Sequence, residues 1–196
     1  MNGREPASAA LAAALEAYAP YNEQEARDAQ EIIRRLRSGE DLWTRENPAA
    51  HLTASAWIVS PERERVLMCY HRLYRSWSWL GGHADGETDL LAVALREARE
   101  ESGLARVRPV TPEVFSVEIL SVDGHEKHGA YVSSHLHLNL TYLLEADPNE
   151  PLRVKADENS ALAWFAPDEA VERSAEPWFR TRIYSKLNAR VRTQFG

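Results

Sequence analysis

The chain has 196 residues, of which 44% are apolar, and it carries a formal net charge of −7. This length suits one large α/β domain or one domain with an appendage, and the absence of a basic block argues against a nucleic-acid surface. The single cysteine, Cys69, excludes an internal disulfide and agrees with a reducing compartment. No segment reaches the length of a membrane span, so we expect a cytoplasmic protein that has no membrane partner.

A helical N-terminal extension is predicted over residues 1–47, ahead of a domain over residues 48–196. Helical periodicity predicts one helix over residues 5–18 and a second over residues 22–37. Asn22 is predicted to cap the second helix. Neither helix carries a cluster of side chains that suggests chemistry. We therefore expect the two helices to pack on the domain that follows or to form the contact of a homodimer.

After residue 50 the apolar pattern changes to the alternation that is typical of strands. The predicted strands cover residues 51–59, 65–70, 107–110, 114–122, 135–143 and 161–165. Two further helices are predicted near the C-terminus, over residues 167–172 and 176–193.

A glycine-rich turn, Gly81–Glu87, leads into a helix predicted over residues 88–104. Glycine lets a backbone approach a ligand closely. Glu97, Glu100 and Glu101 follow at i, i+3 and i+4 and so share one helix face, where like charges repel by about a few tenths of a kcal/mol per pair. A hard divalent cation such as Mg²⁺, which takes oxygen ligands, would explain this convergence. The alternative interpretation is a solvated acidic face.

The opposite face of this helix carries a stripe of apolar or small residues that suits packing on a sheet. The members of the stripe are Leu91, Ala94, Leu95, Ala98 and Ser102. Thr88 or Asp89 is predicted to cap the start of the helix. Gly103 suits the left-handed conformation just past its end.

The stretch from Gly81 to Leu104 resembles the Nudix box, in which a glycine, five residues, a glutamate and seven residues precede Arg-Glu-apolar-any-Glu-Glu-any-Gly-apolar. The second half matches at every fixed position from Arg96 to Leu104. The first half departs by one residue, because eight residues rather than seven separate Glu87 from Arg96. The resemblance implies a Nudix-type α/β/α sandwich with a mixed sheet, over roughly residues 48–175.

The same resemblance implies an enzyme that depends on Mg²⁺, with Mn²⁺ as the alternative ion. Such an enzyme uses a metal-activated water to cleave the diphosphate bond of a nucleoside diphosphate linked to another moiety. The implied metal ligands are Gly81, through its carbonyl, Glu97, Glu100 and Glu101. The implied catalytic residues are Glu97, Glu100, Glu158 and Arg96. Arg96 would support the acidic cluster, while the alternative for Glu158 is a surface carboxylate.

Candidate contacts for this small-molecule substrate lie on both sides of the box. Arg72 could reach a phosphate or could be solvated, and Trp79 could stack on a nucleobase or pack at a sheet edge. His135 and His137 point to the same side of a strand and are predicted to bind substrate phosphate. A zinc site that adds His125 and His128 is the alternative for the histidines.

Two other functions remain open at the level of the sequence. A Nudix-like module could bind a nucleotide without cleaving it, although such modules usually lose the glutamates of the box, and all three are present here. An enzyme similar to isopentenyl-diphosphate isomerase shares the fold and would need a catalytic cysteine. Cys69, close to His71 in the sequence, is a candidate for that cysteine. The intact box argues against this alternative.

Overall fold

The computed structural model describes residues 4–127, 129–155 and 159–195. The α-helices in those ranges are α1 (Arg4–Ala17), α2 (Glu23–Arg37), α3 (Leu90–Ser102), α4 (Pro167–Arg173) and α5 (Ser185–Phe195), and a π-helical segment (Phe179–Tyr184) leads into α5. The strands are β1 (Ala50–Val59), β2 (Val66–His71), β3 (Ser76–Ser78), β4 (Leu80–His83), β5 (Val107–Pro109), β6 (Ser116–Val122), β7 (His125–Lys127), β8 (Ala130–Val132), β9 (His135–Ala146) and β10 (Asn159–Phe165). No helix in the described ranges is long and apolar enough to cross a membrane.

The predicted α/β class with a mixed sheet and two N-terminal helices is confirmed. Eight of the strands described above form one sheet, whose hydrogen-bonded path is β10-β2-β1-β9-β5. Strand β3 pairs with β2, β4 pairs with β1 and β6 pairs with β9, while β7 and β8 form a separate hairpin. This hairpin and the short strands β3 and β4 were not predicted.

Backbone packing divides the described chain into two compact units, each built from three segments. The first unit comprises Met1–Ala54, Gly82–Val93 and Val114–Thr141. The second unit comprises Ser55–Gly81, Ala94–Glu113 and Tyr142–Gly196. Each unit is described by itself below.

In the first unit, polar contacts join α2 to β6. The Asn22 side chain accepts the Glu25 N–H at 3.0 Å, which confirms the predicted cap. The Glu25 carboxylate is buried and accepts the Ser116 hydroxyl at 2.7 Å. Asp28 accepts the N–H of Ile119 at 3.1 Å. Helix α2 thus packs on β6, while the proposed domain boundary after residue 47 stays a prediction.

In the second unit, β2 lies between β10 on one side and β1 and β3 on the other. Pairs such as Leu162 with Cys69 and Tyr70 with Trp77 give the antiparallel registers. The Trp57 ring of β1 stacks on Tyr184 with 5.2 Å between ring centroids. Both rings are fully buried, so they form a large part of this unit's apolar core.

Glu145, near the end of β9, is a carboxylate held between two guanidinium groups of the second unit. Its Oε2 lies 2.6 Å from Arg63 Nη1, and its Oε1 lies 3.0 Å from Arg108 Nε. Burial alone would raise the pKa of this carboxyl group, but the bonds to Arg63 and Arg108 outweigh burial and lower the pKa. Folding therefore favours the ionised form of Glu145.

Because its folded pKa is lowered, the stabilisation by Glu145 should be present above the pKa of an unfolded glutamate, about 4.3, and be lost as the pH falls through the folded pKa. We expect Glu145→Gln to lower the free energy of unfolding at neutral pH and to lower it less in acid. Urea denaturation at both pH values measures this difference. Glu113→Gln, at an exposed position, is the control. An equal loss for Glu145→Gln at both pH values would contradict the expectation.

Candidate active site

Helix α3 carries the acidic face, and its two ends follow from local sequence. Asp89 Oδ1 accepts the N–H of Ala92 at 3.0 Å, so Asp89 is the cap. Gly103 has a φ of +72°, as predicted for the residue just past the end. A Cβ atom at this position would lie 2.6 Å from the Cβ of Arg153. Glycine is therefore required at position 103 both by conformation and by space.

The buried face of α3 is rotated about the helix axis relative to the predicted apolar stripe. Leu91 and Leu95 are only half-buried, whereas Leu90 and Val93 are buried. Apolar residues occupy adjacent positions here, so a period of 3.6 residues fits more than one face. The turn brings Glu101 to the buried side of the helix, where only 4% of its surface is exposed.

Glu101 is held in place by donors from two strands of the same unit. Its Oε2 accepts the backbone N–H of Gly81 in β4 at 3.2 Å. Its Oε1 accepts Nδ2 of Asn159, the first residue of β10, at 3.3 Å. A buried carboxylate needs such partners, because losing water without replacing its hydrogen bonds is costly. Asn159 was not among the predicted site residues.

The other two glutamates of the acidic face are more accessible and pair with cations. Glu97, with 17% of its side chain exposed, lies 2.9 Å from Arg96 Nη2. Glu100, with 49% exposed, lies 3.6 Å from Lys155 Nζ. The three carboxylates thus range from buried to exposed along one helix face. They provide hard oxygen donors, which suit Mg²⁺ or Mn²⁺ rather than a soft metal.

Glu87, where the box spacing departs from the family pattern, contacts the start of α3. Its Oε1 accepts the N–H groups of Thr88 and Asp89 at 2.8 and 3.0 Å. The turn before it is made by Asp85 and Gly86, whose φ angles are +47° and +93°. Glu87 therefore satisfies backbone donors that a helix start leaves without intrahelical partners.

Two predicted substrate contacts differ in exposure. Arg72 is exposed in the turn between β2 and β3. Trp79 is buried, and its ring makes edge contacts with Phe179 and Tyr184 at centroid distances of 5.8 and 5.6 Å. The thiol of Cys69, also buried, donates to the Trp79 carbonyl at 3.4 Å. The predicted catalytic Glu158 and the candidate zinc ligand His128 lie outside the described residues.

Four histidines of the first unit form a cluster. His135 and His137 on β9 lie beside His51 on β1 and His83 on β4. The Nε2 atom of His137 is 3.3 Å from that of His83 and 3.2 Å from that of His135. The alternation of β9 predicted that His135 and His137 lie on the same side of the strand. No local signal predicted that His51 and His83 would join them in a cluster. His125 lies further out, with its ring centroid 6.4 Å from that of His135.

Comparison with known proteins identifies the family. The model of the NUDIX domain matches residues 49–187. No curated protein matches the chain. A NUDIX-family hydrolase from Clostridium perfringens is similar in structure, with 19% identity, a TM-score of 0.50 and coverage of 71% of this chain and 97% of that chain. The dihydroneopterin triphosphate pyrophosphohydrolase of E. coli has 14% identity, a TM-score of 0.52 and coverage of 69% and 92%.

The family match spans more than half of the chain, and the likeness to the solved structures shows the same fold. By class, the protein is a hydrolase that acts on acid anhydrides in phosphorus-containing compounds. It belongs to the NUDIX family. The resemblance seen in the box is thereby confirmed.

Proposed function

We propose that the protein hydrolyses a diphosphate bond in a nucleoside diphosphate linked to another moiety, in a reaction that requires Mg²⁺ or Mn²⁺. The observation that carries this proposal is the Glu101 carboxylate, buried and bonded to Gly81 and Asn159. Glu97 and Glu100 follow the same helix face despite mutual repulsion. A bound divalent cation would offset that repulsion, which supports a metal role for the face.

The residues that would hold the ion are Glu97, Glu100, Glu101 and, through its carbonyl, Gly81. When bound, the ion supplies charge neutralisation for the phosphate oxygens and lowers the pKa of a water molecule. Arg96 contacts Glu97 at 2.9 Å and orients that carboxylate. Glu97 and Glu100 are accessible enough to accept a proton from the attacking water, and Glu158 stays a further candidate for this role.

Positive charge on the substrate side is supplied by exposed side chains. Lys155, 3.6 Å from Glu100, and Arg72 at its exposed turn can both attract an anionic diphosphate. Base stacking by Trp79 would require its ring to leave Phe179 and Tyr184, so the structure supports Arg72 better than Trp79 as a substrate contact. The substrate contacts predicted for His135 and His137 stay predictions.

A substrate panel tests the proposed function. The purified protein would be incubated with nucleoside diphosphate sugars, dinucleotides, nucleoside triphosphates and coenzymes, with Mg²⁺ or with a chelator. We expect release of phosphate or nucleotide from at least one compound with Mg²⁺ and none with the chelator. A protein that binds one of these compounds and cleaves none would overturn the proposal in favour of the nucleotide-sensing alternative.

The isomerase alternative is tested at Cys69. The Cys69 side chain is 1% exposed and its thiol bonds to the Trp79 carbonyl, which supports a packing role rather than contact with a substrate. Loss of turnover of an isoprenoid diphosphate in Cys69→Ser would support the isomerase. Equal nucleotide hydrolysis by this variant and the wild type would support the hydrolase.

Asn159 is expected to act by holding Glu101. Replacing Asn159 with alanine removes a donor that helps to fix the carboxylate, and partners of metal ligands typically contribute about tenfold to a hundredfold in metal affinity or activity. We expect the Mg²⁺ concentration for half-maximal hydrolysis to rise about tenfold. The matched control is Asn149→Ala, because Asn149 bonds to Asp147 within an exposed turn. An unchanged Mg²⁺ dependence of Asn159→Ala would contradict the expectation.

A further inference from the structure

The four-histidine cluster uses none of the residues assigned to the acidic face of α3. Its members come from β1, β4 and β9, so three separate segments bring imidazoles to one point. One ring nitrogen each from His51, His83 and His137 can be chosen such that all three lie within 4.8 Å of one another. Uncharged imidazole is the commonest protein ligand for transition metals. It is a poor ligand for Mg²⁺, which prefers oxygen.

The nitrogen distances match those of a metal centre. Two nitrogens bound to Zn²⁺ at the usual bond length and in tetrahedral geometry lie about 3.3 Å apart. The Nε2 atoms of His83 and His137 are separated by 3.3 Å, and those of His135 and His137 by 3.2 Å. Two pairs of imidazole nitrogens therefore already stand at the spacing that a bound ion would impose, and the ligand nitrogens of His51, His83 and His137 lie within 4.8 Å of one another.

Backbone carbonyls determine which nitrogen of two rings carries the proton. His135 Nδ1 lies 2.8 Å from the Ser133 carbonyl, and His51 Nδ1 lies 3.3 Å from the Asn47 carbonyl. A carbonyl can only accept, so each Nδ1 is the donor. In the neutral rings, the lone pairs are then on Nε2. Such N–H to carbonyl bonds are the contacts that orient histidine ligands of metals.

In the neutral rings, the two contacts of His137 Nε2 cannot both be hydrogen bonds. His137 Nε2 faces the Nε2 atoms of both His83 and His135, yet a single N–H can point at only one of them. His51 Nε2 is buried without a hydrogen-bond partner among the described residues. A cation at the centre of the cluster would accept these lone pairs together, which removes both problems.

Backbone hydrogen bonds hold the three segments together. The Ala84 N–H, next to His83, donates to the carbonyl of Leu52, next to His51, at 3.0 Å. The Leu136 N–H, between His135 and His137, donates to the Ala49 carbonyl at 2.9 Å. The ligand-bearing positions are thus fixed by main-chain contacts, as a preorganised site requires.

From this geometry we propose that His51, His83 and His137 bind a divalent transition-metal ion, with Zn²⁺ as the fitting ion, at a second metal site. The Nε2 atom of His135 lies 3.2 Å from that of His137. Three protein ligands with one exchangeable position is the arrangement of catalytic rather than purely structural zinc sites. The proposal is independent of the proposed function, because it involves different ligands and a different class of metal.

The test is a calorimetric titration of Zn²⁺ into the metal-free protein in excess Mg²⁺, which occupies oxygen sites. We expect about one Zn²⁺ per chain and a Kd at least about a hundredfold weaker in both His137→Ala and His83→Asn. Glu101→Gln and His71→Ala should retain zinc binding. Co²⁺, used as a coloured substitute, should give the strong visible absorption of a four-coordinate site in the wild type and lose it in His83→Asn.

Two results would overturn this proposal. One is an unchanged Kd for Zn²⁺ in His83→Asn. This substitution changes a half-buried side chain, and circular dichroism checks that the variant protein is folded. The other is loss of zinc binding in Glu101→Gln alone, which would assign the ion to the carboxylates. If His137→Ala does not fold, His83→Asn decides the question by itself.

Discussion

Replacing Glu101 with glutamine should lower the rate of hydrolysis by about a hundredfold or more, equivalent to about 2.7 kcal/mol of transition-state stabilisation. Glutamine has nearly the same shape, but it removes the negative charge that would hold the ion. It also turns one oxygen into an NH₂ group, while both of its neighbours, the Gly81 N–H and the Asn159 amide, are donors. The new NH₂ group can keep a hydrogen bond only if the Asn159 amide turns its Oδ1 toward it, so the expected loss of rate comes from the removed charge.

The measurement is kcat and kcat/KM for a substrate found in the panel, over a range of Mg²⁺ concentrations. The control is Glu172→Gln, since Glu172 is an exposed carboxylate of α4, and it should keep a rate close to that of the wild type. Thermal unfolding of both variants separates a catalytic effect from a loss of fold. If the Glu101→Gln protein is folded and fully active, the proposed role of the acidic face in hydrolysis is wrong.

Replacing Trp57 with alanine should lower the free energy of unfolding by about 3–5 kcal/mol. The side chain is 0% exposed in the middle of β1 and stacks on Tyr184 with an interplanar angle of 21°. Its Nε1 makes no hydrogen bond within the described residues, so the loss comes from packing and from the cavity that remains. Urea denaturation gives the free energy of unfolding and its dependence on denaturant.

Trp178→Ala is the matched control for this substitution. Trp178 is 53% exposed, and the Arg182 guanidinium lies 5.6 Å from its ring centroid. We expect a loss below about 1 kcal/mol, the usual size of an exposed cation–π contact. Equal losses for Trp57→Ala and Trp178→Ala would show that the stack on Tyr184 does not contribute as described.

Local signals account for the parts of the fold that could be predicted. The cap at Asn22 and the glycine at position 103 act within a few residues of the helices they delimit, so the sequence alone locates those ends. The acidic face of α3 follows from spacing along a single helix. The small hairpin β7–β8 was not predicted, because strands of only three residues are too short to show an alternating pattern.

Contacts between distant segments account for what was missed. Asn159 meets Glu101 across 58 positions of sequence, and nothing next to either residue marks the pair. His83 and His137 are 54 positions apart. His51 is the second residue of β1 and His83 is the last residue of β4, so each alone is an ordinary residue of a sheet. Only the pairing of strands brings these imidazoles together. The hydrophobic periodicity of a single segment does not show which strands pair.

The fixed position of Glu101 has a thermodynamic consequence for any ion that binds the acidic face. Ordering a glutamate side chain costs about 1.5–2 kcal/mol of conformational entropy. The bonds from Gly81 and Asn159 mean that folding has already ordered Glu101. Glu100, about half exposed, would still lose its rotamer freedom when it coordinates. As ligands of the proposed ion, the two carboxylates would therefore be unequal. Glu101 would bind without a further entropic penalty, whereas Glu100 would pay that penalty each time it coordinates.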